Sequence, residues 1–352
     1  MTAEDETAAL EARIAADPDD DAAYAVYGDL LQGRGDPRGE LIALMLAREA
    51  ELARGVGRSP VATAITKRMH RHAAAWRGKL SVLPEHALVW RRGFFHRVML
   101  RGADVATIGE ILAHPSGRFV RELAVTCDEV DDAYRVIDAI AEHEPPLGEL
   151  ELIVHGPRGG HVDLLDLGAL WPALARARRI AVVTKAFDLG AVRAERAERL
   201  RLHAMRLSGD NLRAIAAAPW PALQRLELRF AAAGEPSSAG LVDLLALVRR
   251  ADLPALTHLK LRGCEHAGEA LVALAEAPLA RQLVVIDLAH GLVEAAELRA
   301  LTRHRASFPA LRELWLPAVA WPQAKQQLDG IATHVLSDAR GALDTFDAEI
   351  RR

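Results

Sequence analysis

Three apolar residues spaced Leu-x-x-Leu-x-Leu recur nine times along this chain, and nothing else in it restricts the fold as much. The cleanest copies are Leu223, Leu226, Leu228; Leu256, Leu259, Leu261; Leu283, Ile286, Leu288; and Leu311, Leu314, Leu316. Less regular copies precede them: Phe95, Val98, Leu100; Val120, Leu123, Val125; Leu147, Leu150, Leu152; Ala177, Ile180, Val182; and Leu202, Met205, Leu207. Their middle members lie 21 to 33 residues apart. Within each copy the last two members are two residues apart, the period at which a strand returns a side chain to the same face. A unit this short cannot bury its own apolar surface, so successive copies must stack and cover one another.

The segments between the copies carry helical patterns over 210–218, 268–277 and 294–304, and Pro219, Pro254, Pro278 and Pro309 stand ahead of the next strand. A proline there stops the helix and favours extension. Spacing and pitch together resemble the leucine-rich repeat. The resemblance implies an α/β solenoid, a curved parallel sheet with helices on its convex side, over residues 93–320. Cys264 and Asp210 fall where that pattern carries a buried polar side chain, so a structural role is expected for both. Residues 321–352 lose the repeat. Ala324, Leu328, Ile331, Val335 and Leu336 have helical spacing, which predicts a helical C-terminal cap.

Hydrophobic residues make up 51% of the 352, so burial does not limit folding, and no apolar run reaches the roughly 20 residues of a membrane span. The N-terminus is acidic and lacks the order of a signal peptide, so a cytoplasmic protein with no membrane contact is expected. Cys127 and Cys264 stand alone, which argues against a disulfide framework or a zinc site. Residues 1–50 carry twelve acids and four bases within a chain of net charge −4. An acidic head therefore precedes a mildly basic remainder, whose excess is too small for a dedicated nucleic-acid binder.

The head, residues 1–54, reads as three short helices. Asp17-Pro18 and Asp36-Pro37 each place a capping acid before a proline at a first helical position. Asp17, Asp19 and Asp21 alternate as in a calcium loop, but Ala22 and Gly28 occupy the positions that need glycine and glutamate. The stretch from Ile14 to Leu44 holds Asp17, Pro18, Asp20, Asp21, Val26, Tyr27, Asp29 and Leu31, and closes on Gly35-Asp36-Pro37-Arg38-Gly39-Glu40. It resembles the repeat-companion domain found before repeats in bacteria with large genomes, departing from it at Tyr24 and Leu30. That family has no established activity, so the resemblance implies context rather than chemistry, with Arg38 and Glu40 buttressing the head through ion pairs. Residues 55–92 read as a linker, a helix through Ile65, Met69 and Trp76, and an irregular cap. His70 and His72 point apart on that helix. Gly93 and the two phenylalanines after it open the first strand.

Residues between the buried leucines line the other face of each strand, the concave face of a leucine-rich solenoid. Among them Arg206, Arg225, Glu227, Arg229, His258, Lys260, Arg262, Asp287 and Trp315 form a mainly basic stripe ending in an aromatic side chain. Arginine and tryptophan are frequent interface anchors; the other reading of the same stripe is that its arginines only keep an exposed sheet face solvated, with Glu227 pairing its neighbours. No nucleophile elbow, phosphate loop, zinc-protease motif or paired-cysteine motif is present, and no cofactor, metal or catalytic residue is expected. These features point to a non-enzymatic scaffold that binds a protein partner, one carrying an acidic segment. Two alternatives stand beside it: a regulator or inhibitor of a partner enzyme or toxin, and a polyanion or nucleic-acid binder using the same stripe.

Overall fold

The computed structural model describes residues 3–155, 164–205, 207–230, 239–317, 328 and 330–337. The chain divides into two compact units. One comprises Met1–Ala124 with Glu142–Pro146, the other Val125–Ala141 with Leu147–Arg352.

In the first unit α1 (Ala3–Ala16), α2 (Asp21–Gly33) and α3 (Arg38–Ala53) form the head, followed by α4 (Pro60–Arg77). Asp20, rather than Asp17, caps α2, accepting from the Ala23 amide at 2.9 Å. Asp17, exposed on the approach, accepts from the Asp19 amide at 3.1 Å. The two caps differ because Pro18 and Asp19 form a turn before the helix begins.

The hexapeptide after α2 is a close-packing device. Gly35 has a φ of +75°, which favours glycine. Asp36 accepts from the Arg38 amide at 2.8 Å. Gly39 lets α3 approach α2, since a Cβ there would collide with the Gly28 carbonyl and lie 2.7 Å from the Gln32 nitrogen. Glu40 pairs with Arg68. Arg38 makes no ion pair among the described residues, unlike the pairing expected. Its guanidinium lies 5.9 Å from the ring centres of both Trp76 and Phe94, held as a cation over aromatic faces.

Gly93 does not simply open a strand. With Arg92 it makes the turn of an antiparallel hairpin, β1 (Leu88–Arg91) on β2 (Phe94–Arg101), where both residues have positive φ. Arg92 is buried, bonding Glu49 and the Pro18 carbonyl at 2.8 Å each, with its guanidinium 4.9 Å from the Tyr24 ring. Ile14, Tyr24, Tyr27, Ile42, Phe94 and Phe119 form one core, so the head shares its apolar interior with the hairpin. After α5 (Ile108–Ala113) comes β3 (Glu122–Cys127), whose first half belongs to this unit and places it beside β2.

The second unit takes the rest of β3, most of α6 (Val130–His143), and then β4 (Glu149–Val154), β5 (Leu165–Asp166), β6 (Arg179–Thr184), β7 (Phe187–Asp188) and β8 (Arg199–Ala204). These are followed by α7 (Gly209–Ala217), β9 (Arg225–Arg229), α8 (Leu241–Val248), β10 (His258–Arg262), α9 (Ala267–Glu276), β11 (Val285–Asp287), α10 (Ala295–Thr302), β12 (Glu313–Leu316) and β13 (His334–Ser337). Its long sheet has the order β3-β4-β6-β8-β9-β10-β11-β12-β13, parallel from β4 onward, and it does not close. β5 and β7 pair separately, so the returns flanking β6 use a short ribbon instead of a helix. The architecture is α/β with a long, mostly parallel sheet.

The register runs straight across. Leu150, Ile180, Leu200, Leu226, Leu259, Ile286, Leu314 and Val335 form one row, and all but Val335 are buried. This corrects the fifth copy of the repeat. The buried triplet is Ala197, Leu200 and Leu202, not Leu202, Met205 and Leu207. Ala204 is buried, Ser208 caps α7, and Arg206 lies outside the described residues. The predicted C-terminal cap is corrected at His334–Ser337, which extends the sheet as β13; most of that segment lies outside the described residues.

Asp210 does not hold backbone amides; it pairs with Arg213. Its neighbour Asn211, 1% exposed, accepts from the Leu189 amide at 3.0 Å and donates to the Phe187 carbonyl at 2.7 Å. Cys264 and Cys127 are buried free thiols, each pushed up to about 12 by burial. Neither is a thiolate near neutral pH, which fits a packing role.

Candidate functional site

Between the buried leucine rows, the parallel register aligns the intervening side chains into rows of their own. Strands in such a sheet stand about 4.8 Å apart, so residues in one row are immediate neighbours. The first row reads Glu149, Arg179, Arg199, Arg225, His258, Val285, Glu313. The second, two residues further along each strand, reads Glu151, Ala181, Arg201, Glu227, Lys260, Asp287, Trp315. From β8 to β12 these rows line a groove of about 490 Å³.

The second row neutralises itself. Glu227 takes the His203 ring at 2.8 Å on one side and the Lys260 ammonium at 3.4 Å on the other. Burial alone would raise its carboxyl, but the bond from His203, with Lys260 and Arg262 nearby, overrides burial and holds it at about 2. Arg262 donates to Asp287 through two nitrogens, each at 2.9 Å, and Asp287 also accepts from the Ala289 amide at 3.0 Å. Arg201 reaches Glu151 only at 3.7 Å, and its Nε is buried without a hydrogen-bond partner.

The first row is not neutralised in the same way. Arg179 is tied to Glu149. Arg199 and Arg225 are exposed and adjacent, and neither has a carboxylate partner among the described residues. His258 follows, its Nδ1 2.8 Å from the Thr257 hydroxyl. Burial and then Arg225, Lys260 and Arg199 lower its affinity for a proton, against an opposing pull from Glu313. Beyond it the row turns apolar at Val285. Trp315 closes that end, its indole N–H 3.3 Å from Glu313. The groove thus has a basic end over β8–β10 and, over β11–β12, an end where the apolar surface of Val285 and Trp315 stands beside Asp287 and Glu313.

Of the residues expected on this face, Arg225, Glu227, His258, Lys260, Arg262, Asp287 and Trp315 line the groove together. Arg229 does not; it is 7% exposed, in register with the buried His203. Arg206 is outside the described residues. Arg199 and Arg201 are absent from the expected face because the fifth copy of the repeat begins five residues earlier than its leucines suggest. The signal was Ala197-x-x-Leu200-x-Leu202, which satisfies the repeat with alanine in first place. Among the described residues, no group of three histidines, cysteines or carboxylates could hold a metal ion. Nor is any described helix long and apolar enough to cross a membrane.

No protein-family model matches the chain, and no curated protein matches it in sequence. In structure it is similar to a crystal structure of a protein from Bacteroides fragilis, a target of the Northeast Structural Genomics Consortium, with a TM-score of 0.57. Identity is 14%, over 81% of this chain and 86% of that one. A likeness at that identity concerns the fold alone.

Proposed function

We propose that the chain is a non-enzymatic protein-interaction module, a divergent leucine-rich solenoid whose sheet groove holds an acidic segment of a partner protein. The solenoid reading is supported by the repeated Leu-x-x-Leu-x-Leu pitch, the unbroken buried rows and the linear order of parallel strands. The binding reading is carried by one observation: Arg199 and Arg225 stand side by side with no carboxylate partner among the described residues, beside a row in which Glu227 is paired with Lys260 and Asp287 with Arg262. Like charges directly opposite on neighbouring strands are unfavourable. An anionic occupant would relieve that repulsion and find a field of complementary sign.

The test is titration of a labelled peptide of alternating aspartate and serine into the wild-type protein and into the Arg199→Glu, Arg225→Glu double variant. Binding that weakens with salt and disappears in the double variant is expected. Absence of binding to the wild type would reject the reading. Preference for inorganic polyphosphate or an oligonucleotide, with a steep salt slope, would reassign the groove to polyanions.

A further inference from the structure

Resting on the acidic-segment reading, we infer that the groove selects its ligand by spacing: two acidic residues two positions apart, and a large apolar residue four positions beyond them, on a chain crossing the strands. The direction of crossing follows from the rows. Along β9 a ligand would meet Arg225, then Glu227, then the buried Arg229, an alternation that suits no run of like charges. Across the strands it meets Arg199, Arg225 and His258 at one level, and then the apolar surface of Val285 and Trp315.

The spacing follows from the sheet. Trp315 on β12 is three strands from Arg225 on β9 and two residues further along, but its indole N–H lies 3.3 Å from the carboxylate of Glu313, which stands in the row of Arg225, so the crossing to that end of the ring is about 14 Å at the usual strand separation. An extended chain advances roughly 3.3 Å per residue, so four residues span that gap. Four is even, so the acidic and apolar side chains leave the ligand backbone on the same side. Arg199 and Arg225 are one strand apart, and side chains as long as arginine's reach acids two positions apart, roughly 7 Å, from that separation. Acids are disfavoured at the far end, where Asp287 and Glu313 already supply negative charge.

The test uses three short peptides of one composition. The first has aspartates two apart and a phenylalanine four positions beyond the second. Another has the same order reversed, and the third has the phenylalanine moved beside the aspartates. One of the two spaced peptides is expected to bind about tenfold tighter than the third, since the third cannot reach the tryptophan while its acids are seated. Trp315→Ala should reduce that spaced peptide to the affinity of the third and leave the third unchanged. Val285→Ser, which spares the tryptophan, should cause a smaller loss of the same kind. Equal binding of all three overturns the spacing rule while leaving the acidic-segment reading intact. Failure of all three to bind overturns both.

Discussion

Arg199 and Arg225 face each other across adjacent parallel strands, both exposed, with no carboxylate partner among the described residues. A pair of like charges at that separation costs roughly 0.2–1 kcal/mol in the free protein. Arg225→Glu should therefore raise unfolding stability by about that amount in low salt, because the new carboxylate meets Arg199 on one side. The gain should shrink as salt rises, since exposed charges are screened. Urea unfolding at two ionic strengths measures it. A variant that gains stability while losing acidic-peptide binding separates function from fold, and a loss of stability in low salt would contradict the arrangement.

Glu227 provides a pH-dependent counterpart. Its carboxyl is held at about 2 in the folded chain, against the ordinary 4.5 of a glutamate. The unfolded chain therefore takes up the proton first as pH falls, and the stabilisation, fully present above pH 4.5, is lost between 4.5 and 2. The difference corresponds to about 3 kcal/mol. Glu227→Gln should be destabilised by about that much at pH 7, and the gap to wild type should narrow toward zero near pH 2. Unfolding curves for both proteins across that range give the answer.

His258 reads the field of the basic row directly. Burial and then Arg225 and Lys260 keep its pKa below 6.5. Above pH 6.5 the ring is neutral whether the chain is folded or not. As pH falls below that value the unfolded chain protonates first, so this group's contribution to stability declines toward acid. Ring-proton NMR should show a depressed midpoint that rises in Arg225→Ala and falls in Glu313→Gln. Seating an acidic peptide on the row should raise it too, with proton uptake on binding. A midpoint unmoved by Arg225→Ala would mean that the row exerts no field at this position.

The leucine spacing made the sheet legible from β9 to β12, because only one register there places a large apolar residue at all three positions. It failed at β8 for a physical reason. Leu200, Leu202, Met205 and Leu207 fit the pattern in two ways, and a small alanine at 197 gives the correct one the weaker sequence signal. That slip hid Arg199 and Arg201, and with them the difference between a paired row and an unpaired one. β13 was hidden because Val335 is its one residue in the apolar row and its neighbours carry no leucine repeat. Pairing within the groove was legible only around Glu227, whose basic neighbours in sequence pattern suggest ion pairs, and Lys260 does hold it. Arg262 looks like a free base in sequence, yet it holds Asp287 from the adjacent strand.

In the head, two glycines a few residues apart have opposite roles. Gly33 ends α2 with nothing within 4 Å of an added Cβ and no positive φ, so alanine there meets no obstacle and reduces the freedom of the unfolded chain. Gly33→Ala should stabilise the protein by about 0.5 kcal/mol. Gly39 sits where α3 crosses α2, and a Cβ there meets, besides the movable Gln32 Cγ at 2.6 Å, backbone that cannot swing aside: the Gly28 carbonyl and, at 2.7 Å, the Gln32 nitrogen. Relief would require the helices to separate, opening the core that joins Tyr27, Ile42 and Phe94. Gly39→Ala should cost about 3 kcal/mol, the upper range of overpacking. Thermal unfolding of the two variants should move the midpoint in opposite directions, and a Gly39→Ala protein as stable as wild type would show that this close approach is dispensable.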